Sequence, residues 1–96
     1  MNKHTQTTQH QLIEGVFSSE DARSILMALI EYKIQFHEQD SWSQKERFGI
    51  TDEPGARRIS ELQTTKANLV DVIDAAGLAH KRLAIQCTIE VTPVPE

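Results

Sequence analysis

The chain reads as an α+β domain with the element order β-α-α-β, a long antiparallel helical hairpin packed on a two-stranded antiparallel sheet. Three observations predict it. Residues 83–92 alternate between apolar and polar side chains. Two long segments before them carry apolar residues at three- and four-residue steps. A short β-branched and aromatic run precedes both.

Residues 1–9 are polar, rich in Thr and Gln and without periodicity, which predicts a mobile tail before a single domain at 10–96. His4 and His10 lie in or beside it with no Cys or acid at ligand spacing, so a flexible tail is the simpler reading than a metal site. Over residues 11–17, Leu12, Glu14 and Val16 alternate with Ile13, Gly15 and Phe17, which predicts the first strand, with Gly15 marking a bulge or a close approach.

The pattern changes at Ser18. Ser18 and Asp21 have capping-box spacing, and Glu20 and Asp21 suit the positive end of a helix dipole. Ala22, Ile25, Leu26, Leu29, Ile30, Lys33, Ile34, Phe36 and His37 follow at helical steps, predicting a helix from 19 to about 39. Asp40, Ser41, Trp42 and Ser43 then interrupt it, and Ser43 with Glu46 repeats the capping-box spacing before Gly49. The alternative is that the first helix runs on through this stretch to Phe48, because no Gly or Pro stands between 16 and 48.

Thr51 or Asp52 can cap the second helix, with Pro54 in its first turn. Ile59, Leu62, Lys66, Leu69, Ile73 and Ala76 predict a helix from 54 to about 80, unless Gly77 ends it earlier. In the last segment Leu83, Ile85, Cys87, Ile89 and Val91 stand between Ala84, Gln86, Thr88, Glu90 and Thr92. This is a half-buried strand of about ten residues, and Pro93 and Pro95 end it.

Short links between these elements make the strands antiparallel neighbours. Two strands leave two open edges, and the last strand has only Arg82 and Glu90 as charged guards. Helices this long also exceed what one small core can cover. The expectation is a homo-oligomer, most simply a C2 dimer, in which a second chain completes the sheet or the helix layer.

Of the 96 residues, 39% are hydrophobic and 25% charged, which suits a soluble globular domain. The formal charge of −4 and the absence of a basic run argue against nucleic-acid binding. The apolar run from 25 to 30 is far too short to span a bilayer. With one cysteine and no apolar leader near its start, the chain is expected in the cytoplasm.

Side chains that point to chemistry are sparse, and no catalytic residue, metal ligand set or cofactor is expected. His37 and Asp40 share a helix face, but a histidine near a helix C-terminus is more simply explained by the dipole. Trp42, Arg47 and Phe48 stand together between the helices and form either a recognition patch or, with Ile50, a plug in the open end of the hairpin. If the helices pair residues whose numbers sum to about 93, Lys33 meets Glu61. Arg57 and Arg58 read as a solvated face, and Cys87 as a small buried hydrophobe.

These readings favour a non-enzymatic protein-interaction or self-association module. Its expected contact residues are Trp42, Arg47 and Phe48 at the hairpin tip, and Thr88 and Glu90 on the last strand, open to an unidentified protein partner. The alternative is a small ligand-binding protein or enzyme with a pocket near the tip, built from His37, Glu46 and Arg47.

Overall fold

The computed structural model describes residues 6–49 and 53–96 and has the expected order: β1 (Thr8–Phe17), α1 (Ser19–Phe48), α2 (Glu53–Leu78) and β2 (Leu83–Val91). β1 begins inside the stretch read as tail. His4, Ile50, Thr51 and Asp52 lie outside the described residues.

β1 and β2 form a two-stranded antiparallel ribbon. From its base, Phe17 stands opposite Leu83, Gly15 opposite Ile85 and Ile13 opposite Cys87. The register then shifts at Leu12, an extra residue between Gln11 and Ile13, so that His10 faces Ile89 and Thr8 faces Val91. Directly opposed residues share a sheet face, so the shift turns His10 and Thr8, rather than the neighbouring glutamines, onto the face of Ile89 and Val91. The expected irregularity therefore sits at Leu12. Gly15 serves the close approach instead, because a Cβ there would stand 3.2 Å from the Phe17 ring.

Ser18 starts α1 as expected: its Oγ accepts from the Asp21 N–H at 3.1 Å, and its carbonyl accepts from the Ala22 N–H. Of the two readings of 40–43, a break or a continuous helix to Phe48, the structure has the continuous helix. α1 continues for 30 residues, about 45 Å. The Ser43–Glu46 spacing lies within the helix, and the Gln44 amide donates one turn back to Asp40. The helix ends at Gly49, which takes the left-handed conformation (φ 65°) and donates its N–H to the Lys45 carbonyl.

The longer α1 changes the hairpin register. A sum of 93 would bring 39 level with 54, and extending α1 moves the pairing on by about one turn. Lys66 Nζ meets Glu31 Oε1 at 3.1 Å, and Arg23 pairs with Asp74 nearer the base. The expected Lys33–Glu61 contact is absent: Glu61 accepts from Arg58 within α2, and Lys33 Nζ lies 5.8 Å from the Phe36 ring centroid. At this register Ala22 is level with Ala76 and Ile34 with Leu62, four of the five buried residues among those described, Ile73 being the fifth. The helices approach closely at the base, where a Cβ on Gly77 would stand 3.2 Å from Ser19 Oγ.

α2 stops at Leu78, two residues before the expected end. The His80 N–H bonds the Gly77 carbonyl and the Lys81 N–H bonds the Ala76 carbonyl, the paired hydrogen bonds of a Schellman motif. The left-handed residue of that motif is His80 (φ 55°), while Gly77 lies inside the helix and serves close packing.

Ribbon and hairpin touch at the base and then part. The Cα atoms span 49 × 41 × 15 Å. The long dimension is the hairpin, and the thin one suits two helices side by side. The 41 Å dimension requires the ribbon, about 33 Å long, to run away from the helices rather than back over them. The radius of gyration is 17.3 Å, against about 12.5 Å for a compact domain of this length.

His80 occupies a conformation that costs a side-chain-bearing residue roughly 1–2 kcal/mol. The His80→Gly variant is expected to be more stable by about 1 kcal/mol, raising Tm by roughly 4–8 °C in calorimetry. Ser18→Ala is expected to lower stability by a similar amount through loss of the cap.

Candidate interaction surface

The residues expected at the tip lie on one continuous helix, and helical geometry separates them. Successive residues turn by about 100°, so Trp42 and Phe48 point about 120° apart and Arg47 points away from both. Trp42 and Phe48 are 65% and 66% exposed, so neither plugs the hairpin. His37 and Glu46 are nine residues apart, which places them on opposite sides of α1 and about 13 Å apart along it. The pocket expected from His37, Glu46 and Arg47 is therefore not assembled on this helix. His37 also stands well before the end of α1, so the dipole explanation for it no longer applies. Its ring packs edge-on against Phe36 at 5.7 Å between centroids.

Thr88 and Glu90 are exposed on β2, opposite Gln11 and Gln9, on the face away from Ile89 and Val91. Cys87 is half-buried rather than enclosed, because the ribbon has left the helices by that point. No group of three or more potential metal-ligating side chains stands together among the described residues, and no described helix is long and apolar enough to cross a membrane.

The surface that does assemble is apolar, and it lines the angle between ribbon and hairpin. α1 carries two apolar stripes. One, containing Ile34, faces α2. The other is Ile25, Leu29, Tyr32 and Phe36, spaced 4-3-4, the pattern of a helix seam awaiting a neighbour. Along it Tyr32 is 71% and Phe36 53% exposed. On the ribbon Ile13, Ile85, Cys87, Ile89 and Val91 share one face, with Ile89 and Val91 exposed towards its far end. Leu26, Leu69, Val72 and Ile73 of the helices and the stretch of β2 from Leu83 to Gln86, with residues of both its faces, line one groove of about 300 Å³ near the base.

In the sequence these apolar residues of α1 had merged into one broad stripe. Only a helix with a partner on one side separates it into a covered and an open part. Lys33 was the visible signal, since a lysine between apolar neighbours marks a boundary between stripes.

No protein-family model, curated protein or solved structure matches the chain.

The hairpin register carries its own test. A double-mutant cycle at Glu31 and Lys66 is expected to give a coupling of about 0.2–1 kcal/mol, as for exposed ion pairs, and to weaken with salt. The same cycle at Lys33 and Glu61 is expected to give none. Urea unfolding of the four variants in each cycle measures both.

Proposed function

We propose that this protein is a small, non-enzymatic self-association and protein-interaction module that works as a cytoplasmic homodimer. The observation that carries the reading is the amount of surface the single chain leaves uncovered. Its accessible area is 7799 Å², where a compact 10.9 kDa monomer exposes about 5,600 Å². The uncovered surface includes side chains that normally belong to a core, among them Leu29, Tyr32, Phe36, Val72, Ile89 and Val91, all exposed. Apolar surface on this scale drives association, and a second identical chain is the simplest way to cover it.

Composition supports the rest of the reading. A net charge of −4 repels polyanions, which favours protein over nucleic acid as the partner class. The single cysteine fits a reducing compartment. Trp42, Arg47 and Phe48 at the far end of α1, with Thr88 and Glu90 on the outer ribbon face, remain available to a further protein partner.

Light scattering on the eluting protein is expected to give about twice the 10.9 kDa chain mass at micromolar concentration. A monomer mass persisting to high micromolar concentration would remove the proposal.

A further inference from the structure

We infer that the second copy seats inside the angle between ribbon and hairpin, so that each ribbon covers the open α1 stripe of the other chain. This rests on the self-association proposed above and specifies its geometry. Three arrangements of two copies are available, and they cover different residues. Pairing the ribbons edge to edge satisfies backbone hydrogen bonds but leaves Leu29, Tyr32 and Phe36 in water. Stacking the hairpins alone covers that stripe but leaves Ile89 and Val91 exposed. Only interlocking the two angles covers both faces at once.

The area fits that arrangement. An excess of about 2,200 Å² per chain, taken over both chains, falls within the ~2,000–5,000 Å² that obligate dimers bury, and exceeds what one sheet edge can remove from water. The shapes fit as well. The ribbon face offers flat, mostly β-branched side chains (Ile13, Ile85, Ile89, Val91), and the α1 stripe offers a ridge with two large aromatic rings. A helix ridge on a sheet face is a standard two-layer packing. Ribbon and stripe occupy the two arms of one angle, so a two-fold axis brings ribbon to stripe twice, as an isologous contact requires. Both faces carry little charge: Lys33 beside the stripe reaches across the Phe36 ring, and His10 of the ribbon bonds Thr8 Oγ1 at 2.9 Å.

The single cysteine supplies the test, because Cys87 lies on the ribbon face that should meet α1 of the other chain. The wild-type chain is co-expressed with a differently tagged chain carrying Cys87→Ser and either Leu29→Cys or Phe36→Cys, and the purified protein is treated with a short bismaleimide. A mixed-tag covalent dimer is expected with at least one of the two cysteines. None is expected when the cysteine is placed by Glu38→Cys, on the opposite side of α1. Both stripe positions are exposed in the single chain, so circular dichroism should show the helices intact in each variant. In a separate arm, Phe36→Asp is expected to abolish the dimeric mass by light scattering. A dimeric mass with no mixed cross-link from either stripe cysteine, or one that survives Phe36→Asp unchanged, would overturn the interlocked geometry while leaving self-association standing. A monomeric wild-type chain would overturn both.

Discussion

Two tight connections hold the ribbon to the base of the hairpin, and the rest of the structure depends on that constraint. Ser18 alone separates β1 from α1, and four residues, beginning in a Schellman turn, separate α2 from β2. Links this short fix where ribbon and helices meet, but they do not bend a ribbon about 33 Å long back over a hairpin about 45 Å long. The two arms leave the base at an angle. Hydrophobic burial is the main driving force of folding, and here it acts at the base and, through Ile34 and Leu62, midway along the hairpin, but only weakly along the ribbon.

The base is accordingly where the specific features gather. Ala22, Ala76 and Gly77 are small, and they let the helices approach closely beside Ser19. Ile73, the largest fully buried side chain described, sits between them and the groove. Arg23 and Asp74 clamp the same level with opposite charges, an exposed pair whose main effect is on register rather than stability. Gly15 lets the Phe17 ring lie flat at the start of the ribbon. Towards the far ends, Phe48 of α1 and Val91 of β2 are both exposed.

Much of this was legible in the sequence. The element order, the Ser18 cap and the alternation of β2 follow from local chemistry, because caps and period-two patterns need no tertiary partner. Misreadings arose where two local rules competed. Ser43 and Glu46 have the spacing of a cap but lie within a continuous helix, since only Gly49 offers the left-handed conformation that closes one. That single misplacement carried the hairpin register with it, exchanging the expected Lys33–Glu61 contact for Glu31–Lys66. It also gathered Trp42, Arg47 and Phe48 into a loop, when the helix turns them to three sides. The shift at Leu12 and the left-handed His80 carry no composition signal, because neither is a glycine. The open stripe was visible as residues but not as a surface, since whether an apolar residue is covered depends on the tertiary arrangement and on any second chain.

On this view the protein completes its core with a copy of itself, and folding and association are one equilibrium. Urea unfolding followed by circular dichroism over a hundredfold range of protein concentration tests that most directly. The midpoint should rise steadily with concentration, because mass action stabilises a folded dimer against unfolded monomers. A midpoint that stays fixed across the whole range would mean that the single chain is stable with its apolar arms in water, and would contradict the claim.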